Sequence, residues 1–111
     1  MKNLTLERIA KVCNGTYYGW DADKGKEISA ITTDSRKAEP GSLFAAIKGE
    51  RVDGHSFIPS VFEKGALCVI SEQELENPAG NYIKVDSTLD ALKAIAEDYL
   101  EQLAIPVVGI T

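Results

Sequence analysis

Apolar positions along this chain follow two rhythms, and the alternation between them lays out its elements. Leu6, Ile9, Ala10 and Cys13 fall three or four residues apart, behind Thr5, a good N-cap, and ahead of Asn14-Gly15, a good stop. That spacing predicts a short first helix. Leu89, Leu92, Ile95, Ala96, Tyr99, Leu100 and Leu103 repeat the rhythm over a longer span. With Ser87 and Asp90 placed like a capping box, they predict a helix over 87–103 that buries one face. Pro59 suits the first turn of a third helix and Gly65 its C-terminal stop.

Between the helices the rhythm changes to short unbroken apolar runs. Residues 43–47 and 67–70 have no polar interruption, the mark of strands covered on both faces. Segments 82–85 and 105–110 are further strands. Segment 28–33 joins them by its β-branched content, and Thr16-Tyr17-Tyr18 forms a brief one. Strands alternating with helices define an α/β fold: a small mixed, partly parallel sheet flanked by helices, with 43–47 and 67–70 as interior strands. No internal repeat or low-complexity segment interrupts it.

At 111 residues and 44% hydrophobic, the chain can bury one core and not two. Its longest apolar runs are five or six residues, against the roughly 20 that a membrane helix needs. The opening Met1-Lys2-Asn3-Leu4 puts charge where a signal peptide is apolar. The expected setting is cytoplasmic, with no membrane partner and a monomeric state. A net charge of −5 argues against nucleic acid. Cys13 and Cys68 lie in apolar surroundings without a CxxC pair, and one histidine cannot complete a zinc site, so both read as reduced, buried thiols.

Candidate chemistry concentrates in 33–57. Turn glycines, hydroxyls, the single histidine and four cations (Arg36, Lys37, Lys48, Arg51) surround one apolar run there. A phosphate- or sugar-bearing ligand needs that mixture: donors, glycine for close approach and a few placed charges. Ser35 follows a strand and precedes a cation; it either binds such a ligand or caps a turn. Arg36 either forks onto a phosphate or carboxylate, or pairs with Asp34 or Asp53 to fix the loop. His55 lacks a nucleophile and an orienting partner, so it reads as a ligand contact or a hydrogen bond across the loop. Lys48 and Arg51 are solvated charges unless the loop closes over a ligand. The acids Glu72, Glu74 and Glu76 read as a solvated edge and not a metal site, and Trp20 as a hydrophobic plug.

Three blocks in order carry a family resemblance: Thr33-Asp34-Ser35-Arg36, Pro40-Gly41-Ser42-Leu43-Phe44-Ala45-Ala46-Ile47-Lys48-Gly49, and Val52-Asp53-Gly54-His55-Ser56-Phe57-Ile58. Together they resemble the N-terminal domain of the Mur ligases, the ATP-dependent amino-acid and peptide ligases of bacterial cell-wall synthesis. The closing Pro106-Val107-Val108-Gly109-Ile110-Thr111 is similar to the family strand that runs into a Gly-x-x-Gly-Lys-Thr phosphate loop. Ser42 stands where the family often has Asp.

The resemblance implies that residues 1–104 form a domain holding the UDP end of a UDP-N-acetylmuramoyl-peptide. Residues 105–111 would be the first strand of a central domain that carries ATP, Mg2+ and the chemistry. Thr33, Asp34, Ser35, Arg36, Lys48, Gly54 and His55 are the implied substrate-binding residues. No catalytic residue, metal ligand or bound cofactor is expected within these 111, and the isolated piece is expected to be inactive. The wording is closest to members adding D-alanyl-D-alanine to the tripeptide substrate. Members adding the third amino acid share the same blocks, and a stand-alone α/β interaction domain is the reading without the resemblance.

Overall fold

The computed structural model describes residues 4–49, 53–76 and 78–102. Three helices, α1 (Leu6–Val12), α2 (Ile58–Glu63) and α3 (Thr88–Gln102), accompany five strands. The strands are β1 (Thr16–Tyr18), β2 (Ile31–Thr32), β3 (Leu43–Ala45), β4 (Cys68–Ser71) and β5 (Asn81–Lys84). They form one sheet in the order β1-β5-β4-β3-β2. The pairs from β2 through β5 are parallel, and β1 joins β5 antiparallel, so the sheet is mixed as expected.

Alternation along the interior strands divides the core in two. Leu43, Ala45, Cys68, Ile70 and Ile83 point to one face, where they meet Leu6 and Ile9 of α1 and Ala91 and Ile95 of α3. Phe44, Val69 and Tyr82 point to the other and meet Ile58 and Val61 of α2. Helices therefore cover both sides of β3 and β4, which is why those strands are apolar up to Ser71, whose buried hydroxyl is satisfied by the Gln73 carbonyl at 2.7 Å.

Helix ends follow the sequence signals with one exchange of roles. Thr5 caps α1 by accepting the Arg8 N–H at 3.2 Å. The stop is a Schellman motif in which Asn14, at φ 56°, takes the left-handed position expected to fall at Asn14-Gly15. Gly15 N–H then bonds Ala10 O at 2.8 Å and Asn14 N–H bonds Lys11 O at 3.3 Å. At the end of α2, Gly65 takes the same position at φ 96°.

Several expectations are corrected. Only Ile31–Thr32 of segment 28–33 is strand. Ile28 bonds instead to Leu4 O, and Ser29 N–H to Gly41 O, so the first half of the segment serves other partners. β3 stops at Ala45 because Ile47 turns its carbonyl to the Gly54 N–H, at 2.8 Å. In α3 the sheet-facing positions are Thr88, Ala91 and Ile95, with Leu92 and Tyr99 half-buried. Leu89 is 62% exposed and Leu100 48%, and Ala96 is exposed as well. The helix is thus apolar over a wider arc than the core uses, and Leu92, Ala96, Tyr99 and Leu100 line an open groove with Ile31. Trp20 is 59% exposed and is no plug; its backbone N–H is held by the buried Asn81 side chain at 2.9 Å. The expected strand 105–110 lies outside the described residues, as do Leu103 and Arg51.

Candidate functional site

The parallel strands β2, β3, β4 and β5 all end on one edge of the sheet, the side where open α/β sheets hold their ligands. Past the end of β2 the chain enters a 3₁₀ turn at Ser35–Lys37, and past β3 a second at Gly54–Phe57. An open cleft of 490 Å³ lies between them, lined by Thr33, Asp34, Ser35, Arg36, Ile47, Gly54 and Phe57.

Each turn is held by its own side chains. The Thr32 hydroxyl accepts the Asp34 N–H at 3.0 Å. The Asp34 carboxylate accepts the Arg36 N–H at 2.9 Å and takes the Nε and Nη2 edge of its guanidinium, at 3.1 and 3.0 Å. That fork, with the backbone N–H, holds the Asp34 carboxyl down at about 2. Lys64 of the α2 C-terminus donates to the Ser35 carbonyl at 2.8 Å. Among the described residues, no hydrogen bond engages the Ser35 hydroxyl, which is left to the cleft.

The second turn repeats the design. Asp53 accepts the His55 N–H at 3.0 Å and stands 2.6 Å from His55 Nδ1. The His55 N–H is the larger cause holding the Asp53 carboxyl below its ordinary value, with the imidazole contact next. Ser56 donates its hydroxyl to Asp53 O at 2.8 Å. Gly54 has no room for a side chain: a Cβ there would lie 2.8 Å from Ile47 N and 2.9 Å from Ile47 O. Glycine is needed for the backbone to approach this closely.

Of the seven residues expected at the site, the structure gathers Thr33, Asp34, Ser35, Arg36 and Gly54 around the cleft. Lys48 is exposed and pairs through its backbone with Asp53, outside that lining. The His55 ring is buried and borders a separate pocket of 250 Å³ with Ile58, Phe62 and Leu75. Sequence reasoning did not single out Phe57, 39% exposed, or Ile47, the apolar part of the lining. An aromatic three residues after a glycine that starts a turn was the available signal for Phe57. It also missed Glu72, which is half-buried and accepts the Thr88 N–H at 2.8 Å instead of lying in a solvated edge. Among the described residues no cluster of three or more His, Cys, Asp or Glu could hold a metal, and no helix is long and apolar enough to cross a membrane.

The fold is a mixed α/β sheet with an open cleft at its strand ends, where hydroxyl and charged side chains meet the apolar Ile47 and Phe57. Comparison with known proteins specifies it further. The family model described as "Mur ligase family, catalytic domain" matches residues 27–100. The UDP-N-acetylmuramoyl-tripeptide–D-alanyl-D-alanine ligase of Bacillus subtilis is 39% identical over 109 residues, covering 96% of this chain and 24% of that protein. The UDP-N-acetylmuramoyl-L-alanyl-D-glutamate–2,6-diaminopimelate ligase of Phocaeicola vulgatus is 43% identical over 79 residues, covering 69% of this chain and 16% of its own length. A crystal structure of MurF from Acinetobacter baumannii superimposes with a TM-score of 0.80 at 33% identity, over 91% of this chain and 22% of that one. This chain belongs to the Mur ligase family. It spans about a quarter or less of the relatives it matches.

Proposed function

We propose that this chain is the domain of a peptidoglycan-synthesising ligase that holds the UDP end of a UDP-N-acetylmuramoyl-peptide. The observation that carries the reading is the cleft: an unengaged Ser35 hydroxyl, the Arg36 guanidinium and the bare backbone at Gly54 converge on one open space. The free Ser35 hydroxyl and the guanidinium N–H groups that Asp34 leaves over suit a diphosphate and its sugar. Phe57 and Ile47 offer an apolar surface for a base or sugar ring. The matched residues 27–100 contain no Gly-x-x-Gly-Lys-Thr, so a triphosphate has no cradle there.

For the whole protein we read an ATP- and Mg2+-dependent ligase joining D-alanyl-D-alanine to the tripeptide substrate, in the cytoplasm. Residues 1–104 hold substrate, and 105–111 begin the central ATP-binding domain. The Bacillus subtilis match over 96% of the chain and the Acinetobacter baumannii MurF structure support this choice. The MurF ligase of Thermotoga maritima was solved in complex with ADP, which supports the nucleotide. Addition of the third amino acid is the second reading, favoured by 43% identity to the diaminopimelate ligase.

Substrate would lie with its diphosphate between the two turns and its uridine toward Phe57. In the ligase reaction the peptide carboxylate becomes an acyl phosphate that the incoming amine attacks. The residues here orient the far end of that substrate and take no part in the bond changes. Titrating the 111-residue chain with UDP-N-acetylmuramoyl-tripeptide by NMR tests the site. Shifts should centre on Thr33–Arg36 and Gly54; shifts elsewhere, or none, would refute it. Offering D-alanyl-D-alanine or diaminopimelate to the full-length protein separates the two ligase readings.

A further inference from the structure

Behind the Gly54 wall of the cleft runs a closed circuit of hydrogen bonds. The Asp53 carboxylate faces His55 Nδ1 at 2.6 Å. On the other side of the ring the Glu72 N–H reaches His55 Nε2 at 3.0 Å. Glu72 sets its carboxylate 2.8 Å from the N–H of Thr88, the first residue of α3. The Thr88 hydroxyl donates to Ala46 O at 2.8 Å, and the next residue, Ile47, accepts the Gly54 N–H at 2.8 Å. The circuit has returned to the turn where it began. Thr88 is fully buried, and the His55 side chain is 5% exposed.

These contacts fix the tautomer of the ring. A backbone N–H donates only to a nitrogen with a free lone pair, so Nε2 is bare and the proton sits on Nδ1, facing Asp53. A doubly protonated ring would set a donor against the Glu72 N–H and open the circuit at that link. The charged groups around the ring are Asp53 on its own turn, Glu72 after β4 and Glu76 in the next loop. Lys48 stands against Asp53.

We infer that His55 is a positioning residue for the cleft. Its Nδ1–H tautomer pins the Gly54–Phe57 turn to the end of β4 and the start of α3, so ligand affinity depends on the protonation state of a ring that never touches the ligand. The inference rests on the nucleotide-sugar reading of the cleft.

The test uses the 111-residue chain and UDP-N-acetylglucosamine, whose doubly esterified diphosphate takes up no proton near neutral pH. Long-range 1H–15N spectra report the tautomer and the ring's titration, and amide shifts report affinity. Wild type should show the Nδ1-protonated ring, and its affinity should drop by about tenfold as the ring gains a second proton, the scale of one lost hydrogen bond. The Glu72 and Gly54 amide signals should move with the same midpoint. His55→Gln keeps an acceptor for the Glu72 N–H without a titrating group. It should stay within about threefold of wild type at neutral pH and show a flat profile, while His55→Phe should lose about tenfold. An Nε2-protonated ring, or an affinity that stays flat while the ring titrates, overturns the positioning role alone; both are wild-type measurements and stand even if His55→Phe fails to fold. No shift at Thr33–Arg36 at any pH overturns the cleft reading, and this role with it.

Discussion

Asp34 and Asp53 hold the same backbone conformation on opposite sides of the cleft, φ −106°, ψ 114° in one and φ −101°, ψ 114° in the other. Each carboxylate accepts the backbone N–H two residues on and engages that same residue's side chain, Arg36 or His55. Two stretches that share only an Asp two residues ahead of an Arg or a His build one local device twice. Because that partner is never more than two residues away, each turn has a local source of its shape. The Lys64 contact at one and the Glu72 contact at the other add a distant anchor.

Acid should dismantle the first turn late. The Asp34 carboxyl falls from 3.8 to about 2 on folding, with the Arg36 side chain as the leading cause. A carboxyl depressed in this way contributes stability that is complete above about pH 4 and drains as pH falls toward about 2. Carboxyl 13C shifts should place the Asp34 midpoint below those of the solvated acids. Arg36→Ala should return it toward its ordinary value.

Ser35→Ala should weaken binding of the UDP-muramoyl substrate by about 1–2 kcal/mol, the cost of a hydrogen bond to a charged group. The Lys64 contact to the Ser35 carbonyl survives the change, so the turn should persist. In the full-length protein ATP affinity should be unaltered. Equal substrate affinity in the variant, by calorimetry, would reduce Ser35 to a turn residue.

Gly54→Ala should be destabilising by about 1–3 kcal/mol, because the added methyl meets backbone and not a movable side chain. Urea unfolding measures the loss. Nucleotide-sugar binding should fall as well, since the methyl can be relieved only by drawing the turn away from Ile47.

Both thiols should resist modification in the native state. Burial pushes the Cys68 thiol well above its ordinary value and raises that of Cys13. A chromogenic disulfide reagent should react with Cys13, half-buried at the end of α1, before Cys68. Cys68 should react only as fast as the protein unfolds.

Much of this architecture is legible in the sequence where burial alone decides. The runs around Phe44 and Val69 have helices on both sides and could be nothing but interior strands. Legibility fails where a polar group finds a distant partner. Glu72 looks like one of three alternating surface acids, yet its carboxylate caps α3 from 16 residues away. It fails again on α3, where periodicity cannot tell Ile95, against the sheet, from Leu100, beside an open groove. At the site, residue types pointed to 33–57 because hydroxyls, glycines and cations crowd there. Sorting Arg36 and His55 from their alternatives required knowing that Asp34 and Asp53 sit two residues upstream in the geometry of a turn.

The antiparallel edge of the sheet sets a schedule for the chain's emergence from the ribosome. Thr16 pairs with Lys84, 68 positions later. At about 5–20 residues per second, β1 spends roughly 3–14 s without its partner. α1 must wait longer still, since Leu6 and Ile9 share their core with Ala91 and Ile95 of α3. Helix α1 and β1 are therefore made well before the elements they dock on. Tyr18 and Ile9 stay open to chaperones, and to one another, until nearly the whole domain has been synthesised.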